Sequence, residues 1–147
     1  MKKKVIYISG TVLLIALIGG AIGLYMYFKP VKNFATSKAD YVVTAQSLYG
    51  EFAQNETTAN KKYVTEDKTV QISGKISDIN KTQTGAMTIT LDAGTPDGDI
   101  SCTLIKEAVT VADKYKKGSD ITIKGQCTGI QELINKEVIM MRCAIVE

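Results

Sequence analysis

Histidine and tryptophan are absent from these 147 residues, proline occurs twice, and Arg142 is the single arginine. Without imidazole, the usual catalytic triads and histidine acid–base chemistry are excluded, and a zinc site would lack its common nitrogen ligand. Aromatic residues are scarce where they would matter for stacking: from Val64 to the C-terminus there is only Tyr115. The three cysteines, Cys102, Cys127 and Cys143, include no CxxC pair, so neither a redox motif nor a metal knuckle is written in their spacing. The formal net charge of +3 is unevenly placed. Five of the 18 basic residues (Lys2, Lys3, Lys4, Lys29 and Lys32) flank one apolar run, which leaves 13 in residues 37–147 against all 15 acidic ones. The bulk of the chain is therefore slightly acidic and carries no basic patch.

What the chain does have is a stretch of 24 uncharged residues from Val5 to Phe28. As a helix it would rise roughly 36 Å, enough to cross a hydrocarbon core of about 30 Å with some tilt. A cleavable signal peptide would want a shorter apolar core and a small-x-small site. The run instead ends in Tyr25, Met26, Tyr27 and Phe28, which suits an interfacial aromatic belt and an uncleaved anchor. Lys2, Lys3, Lys4 and the terminal amine precede it, while Lys29, Lys32 and Lys38 follow, so the positive-inside bias narrowly favours a cytoplasmic N-terminus and an extracytoplasmic C-terminal domain. Gly19 and Gly23 form a GxxxG, a spacing that can pack two spans and is also ordinary in such helices. The chain divides into a basic tail (1–4), a transmembrane signal anchor (5–28), a linker (29–36), a helical lead-in (37–64) and a barrel (65–147).

Ser37 is placed to cap a helix over 38–53, with Val42, Ala45, Leu48, Tyr49 and Phe52 on one face, and Asn55 to cap a shorter one, ETTANKKY. Beyond Lys68 the period changes to two. In TVQISGKIS, Val70, Ile72, Gly74 and Ile76 share a face opposite Thr69, Gln71, Ser73, Lys75 and Ser77. The inward sets of the next three strands are Met87, Ile89 and Leu91, then Ile100, Cys102 and Leu104, then Ile121, Ile123, Gly125 and Cys127. In the last, VIMMRCAIV, the charge-free parity is Ile139, Met141, Cys143 and Ile145. A Pro-Asp-Gly turn joins strands two and three, with the glycine expected at a positive torsion. Between strands three and four, KEAVTVADKYKKG reads as a helix of about ten residues presenting Val109, Ala112 and Tyr115.

Three strands, a helix and two strands is the order of a mainly β, five-stranded OB-fold Greek-key barrel, here preceded by an N-terminal helix and a single transmembrane helix. A plain β meander is the alternative. Glycine inward in both strand one and strand four favours closure, because coiling where those strands meet needs it. The run LYGEFAQNETTANKKYVTEDKTVQISGKI, with Asn55-Glu56, Ala59, Lys62-Tyr63 and Val70 to Gly74, resembles the bacterial tRNA-anti-like OB-fold family, as do KKGSDITIKGQCTG and VIMMRCAIV. The resemblance covers about residues 45–147; it implies the fold and attaches nucleic-acid binding as a label.

The outward positions of strands one to three give the expected ligand face: Gln71, Ser73, Lys75, Thr88, Thr90, Ser101 and Thr103. Hydroxyls with one lysine and no aromatic offer little to single-stranded nucleic acid, which needs phosphate neutralisation and stacking platforms. Asp92, Asp97 and Asp99 cluster at the hairpin without the spacing of a calcium loop, and acidic residues there are ordinary turn formers. The expectation is a non-catalytic binding or scaffold module of the cell envelope. It is held in the membrane by residues 5–28, uses no cofactor or metal, and engages a protein partner or a small polar ligand. Single-stranded nucleic acid and a saccharide or cation are the alternatives. The cysteines read as small buried hydrophobes or, in an oxidising compartment, as one disulfide between Cys127 and Cys143 with Cys102 left over.

Overall fold

The computed structural model describes residues 2–28, 32–65, 67–132 and 134–147. The chain forms two compact units, Met1–Val31 and Lys32–Glu147. In the first, helix α1 spans Lys2–Phe28 without interruption. Its described side chains, Val12 and Leu14 to Phe28, are all exposed. Among the described residues no helix is long and apolar enough to cross a membrane; the side chains of residues 5–11 and of Leu13, part of the expected span, lie outside the description, as do residues 29–31 of the expected linker.

The second unit begins earlier than the sequence implied. Phe34 is buried, and Ser37, expected as a helix cap, instead directs both its N–H (3.1 Å) and its hydroxyl (2.8 Å) to the Asn33 carbonyl. The helix expected from residue 38 is replaced by a short strand, β1 (Tyr41–Thr44), parallel to β2 (Val70–Lys81). The cause is tertiary: Asp40 accepts the Thr69 N–H at 2.7 Å while the Thr69 carbonyl takes the amides of Asp40 (2.8 Å) and Tyr41 (3.3 Å), and two adjacent valines suit the extended chain. Thr69, expected outward, is fully buried by this arrangement. Helix α2 (Ala45–Gln54) starts only at Thr44, whose hydroxyl accepts the Ser47 amide at 3.1 Å. Asn55 closes α2 and caps α3 (Glu56–Tyr63), as the sequence implied.

The barrel is built from β2, β3 (Met87–Thr95), β4 (Gly98–Leu104), β5 (Asp120–Glu132) and β6 (Lys136–Ile145). The sheet order is β1-β2-β3-β4-β6-β5, and pairing of β2 with β5 closes it. Helix α4 (Lys106–Ala112) lies between β4 and β5; it is shorter than expected, with Ala108 and Ala112 buried and Tyr115 half-buried just past its end. The inward sets of β2 to β5 are those of the sequence pattern. At the β3–β4 turn the positive torsion falls on Gly94 (φ 74°), not on Gly98 as expected. Gly98 has another task, since a Cβ there would run into the Tyr49 ring of α2.

β6 departs from its expected parity. Val138 and Met140 are buried, Ile139 is half-buried and Met141 is 46% exposed; Cys143 then returns inward. A bulge lies between the pairs Gln126↔Met141 and Lys124↔Ala144, with Arg142 in the left-handed region at φ 53°. One extra residue on β6 rephases the strand, so Met141 and Arg142 both face out and inward positions resume at Cys143.

Candidate functional site

The expected ligand face does not form one patch. A bulge in β2 between Ile76 and Asp78 separates its two halves. Thr88 and Thr103 are cross-strand partners, as are Thr90 and Ser101, and Asp78 and Asn80 flank them on β2. That block of hydroxyls ends in acid: Asp92 stands opposite Asp99, and Glu137 pairs Asp99 from the other side. Burial, then the Asp92 charge, hold the Asp99 carboxyl above its ordinary value.

Gln71, Ser73 and Lys75 lie elsewhere, between β1 and β5, opposite Lys124, Thr122 and Asp120 respectively. Here the surface is concave. A depression of about 490 Å³ is lined by Ser73, Tyr115, Asp120, Thr122 and Val146 among others. A second, of about 370 Å³, is lined by Thr44, Gln46, Lys75 and Asp92, and the two share Ser73, Gly74 and Asp120. Gly74 lets the α2 start lie this close, since a Cβ there would stand 2.9 Å from the Ala45 Cβ. Serine and threonine hydroxyls, one amide, one lysine and two carboxylates thus converge, with a tyrosine on one wall. Lys124 reaches the Ser37 carbonyl at 3.1 Å and ties the lead-in to β5.

Sequence reasoning missed a cluster under the lead-in. Glu51 accepts the Tyr63 hydroxyl and the Lys62 ammonium, each at 2.8 Å. Lys62 sits 4.7 Å from the Tyr63 ring centroid, and Tyr41 meets Tyr63 edge-on at 5.1 Å. The Lys62 hydrogen bond holds Glu51 below its ordinary value, and Glu51 in turn raises Lys62. Glu51 and Lys62 lie on different helices, so no helical spacing signals the pair. Tyr63 is fully buried and Tyr41 is packed against it under Lys62 and Lys68, so these rings offer no open stacking platform.

Cys102, Cys127 and Cys143 are buried and free; the bridge expected between Cys127 and Cys143 is not formed in this structure. Burial pushes the Cys127 thiol up to about 11 and raises Cys143 as well. The Cys127 and Cys143 thiols therefore stay protonated near neutrality and are poor nucleophiles. Among the described residues no group of three His, Cys, Asp or Glu is placed to hold a metal ion.

A closed Greek-key barrel with its helix between the third and fourth barrel strands defines an OB-fold. The family model described as tRNA_anti-like matches residues 1–145, and the chain belongs to that family. Among solved structures it is similar to a proposed nucleic acid-binding lipoprotein from Klebsiella pneumoniae subsp. pneumoniae, with TM-score 0.57 and 20% identity over 72% of this chain and 91% of that one. Looser matches are the Stn1-ten1 complex of S. pombe (TM-score 0.37, 19% identity, 54% of this chain and 58% of that one) and asparaginyl-tRNA synthetase of Entamoeba histolytica with its adenylate (TM-score 0.40, 18% identity, 56% and 21%). At such identities the likeness is one of fold. Among curated proteins none matches the sequence closely enough to count as a relative.

Proposed function

We propose that this chain is a membrane-anchored, non-catalytic OB-fold binding module of the cell envelope whose ligand is a small, hydroxyl-rich molecule of the polyol or saccharide kind. The observation that carries this reading is the double depression over Ser73, Gly74 and Asp120, where carboxylate, hydroxyl and amide groups converge beside Tyr115. Such groups exchange hydrogen bonds with sugar hydroxyls in both directions, and a tyrosine face covers the apolar side of a pyranose. Anchoring rests on the uncharged run Val5–Phe28 and the lysines around it. The absence of histidine and the burial of all three thiols speak against catalysis.

Nucleic acid fits less well. The family name and the Klebsiella likeness bring it to mind, yet the outer face of β3 and β4 ends in Asp92 and Asp99 and lacks any aromatic. Phosphates would meet like charge there.

The test is calorimetric titration of the full-length protein in detergent against a panel of mono- and oligosaccharides, with single-stranded DNA as comparator. Saturable sugar binding that Asp120→Asn weakens at least tenfold supports the reading. Binding of DNA alone, falling steeply with salt, overturns it. A reporter fused after Glu147 checks the orientation; activity on the cytoplasmic side would remove the envelope assignment.

A further inference from the structure

The two hollows that share Ser73, Gly74 and Asp120 carry an uneven charge. Among the described residues Lys75 is the one cation that lines either of them, while Asp92 lines one and Asp120 lines both. The sheet sets these three side by side on its outer face. Lys75 of β2 is the cross-strand partner of Asp120 on β5. On the other flank Ile76 pairs Leu91, so the next step along that antiparallel ladder brings Lys75 alongside Asp92 of β3. All three are exposed, and none belongs to an ion pair among the described residues. One ammonium between two carboxylates neutralises one of them. The other is left over, and Asp99, opposite Asp92 on β4, adds charge of the same sign beside it.

We infer that the ligand is an amino sugar with a free ammonium group, held in the hollow of Lys75, Asp92 and Asp120, where it supplies the charge that Lys75 alone does not. The inference rests on the saccharide reading of this site and narrows it. Uronic acids and sugar phosphates would add negative charge to a hollow that already has an excess. A neutral or N-acetylated sugar would cover the spare carboxylate without pairing it, which costs more than leaving it in water. A protonated amine pairs it and donates charge-assisted hydrogen bonds to it. Since Asp120 is common to both hollows, a second ring has room beside Tyr115 and Thr122.

The test is calorimetric titration of the full-length protein, in a detergent without a sugar headgroup and at about pH 6, where sugar amines are protonated. Three disaccharides of one linkage serve as probes: cellobiose, its glucosamine counterpart, and the N-acetylated form of that counterpart. The glucosamine disaccharide should bind about tenfold more tightly than either neutral one, or better, and the preference should shrink as salt is raised. Asp92→Asn keeps an oxygen for the Gly94 N–H that Asp92 accepts at 2.7 Å, and should reduce the ratio severalfold; Lys75→Gln should widen it. Equal affinities, tighter binding of a neutral sugar, or a preference left intact by Asp92→Asn or narrowed by Lys75→Gln would overturn the amine assignment and leave the saccharide reading standing. Failure of all three probes to bind would overturn it as well, and failure of the wider sugar panel would remove the saccharide reading with it. The primary readout is a ratio on the wild-type chain, so a variant that fails to fold does not blunt it.

Discussion

Gly125→Ala should loosen the seam between β5 and β6. Gly125 is buried and its φ is not in the left-handed region, so alanine meets no backbone strain there. In an open site the exchange would stabilise the protein by about 0.4–1 kcal/mol through the unfolded chain. This site is not open. The new methyl would stand 2.7 Å from Cys143 Sγ, 2.9 Å from the Met141 carbonyl oxygen and 3.1 Å from Cys143 Cα. A sulfur can turn aside, but the other two atoms are backbone of a strand paired on both flanks, to β4 and to β5. Overpacking of that kind costs about 1–3 kcal/mol, and since backbone must move the upper half of the range applies, for a net loss of about 1–2 kcal/mol. Urea denaturation followed by circular dichroism measures it on Lys32–Glu147, a compact unit with its own core. Gly50→Ala is the control. In α2 a Cβ there meets nothing within 4 Å, so a gain of about 0.5–1 kcal/mol is expected. Adding Cys143→Ala to Gly125→Ala should not rescue stability, because the Met141 carbonyl stays in place. A Gly125→Ala protein as stable as wild type, or one restored by the second change, would refute the close-approach explanation.

Two other changes follow from buried or crowded polar groups. Thr69 is fully buried and its hydroxyl has no hydrogen-bond partner; Thr69→Val removes that unmet group at constant shape and should raise stability by about 1 kcal/mol, whereas a loss in the same denaturation assay would show the hydroxyl to be satisfied. Asp99 has a folded pKa raised above 3.8, so its ionised form costs stability at neutral pH, and the cost fades as pH falls through the raised value and is gone below 3.8. Asp99→Asn should therefore gain about 0.5 kcal/mol at pH 7, the scale of one cross-strand like-charge pair, and lose the advantage on acidification; an advantage independent of pH would exclude the charge as its source.

How far the sequence could be read depended on where each constraint resides. Val70, Ile72 and Ile76, Ile89 and Leu91, Ile100 and Cys102, and Ile121 and Ile123 alternate with polar residues, and each is buried as that alternation requires. The inward glycines of β2 and β5 signalled closure, though their role proved to be the close approach of Ala45 and of Cys143. Elsewhere the constraint is tertiary. Tyr41–Thr44 has a helical period on one side and two valines within it, and the carboxylate of Asp40 bound to Thr69 decides for strand. In VIMMRCAIV nearly every residue is apolar, so hydrophobicity does not reveal which parity faces in, and the Arg142 bulge gives each half of the strand a different answer. The same limit applies to the ligand face. All seven expected residues belong to β2, β3 and β4, but on the far side of the bulge at Ile76–Asp78 Ser73 and Lys75 line a double hollow together with Asp120 and Tyr115. Those two residues are far away in sequence.

The small strand β1 also sets the order in which the domain would give way under tension drawn from the chain upstream. Its ladder to β2 has four residue pairs, whereas β2 is held to β5 by six. The shorter ladder yields first, at a point where the barrel has lost none of its own pairings. Thr44, the cap of α2, marks the end of what can peel away. Released from Lys32 to Thr44, about 13 residues would extend to roughly 45 Å. The domain would thus lengthen its leash before it surrenders its shape, with β1 serving as a mechanical fuse.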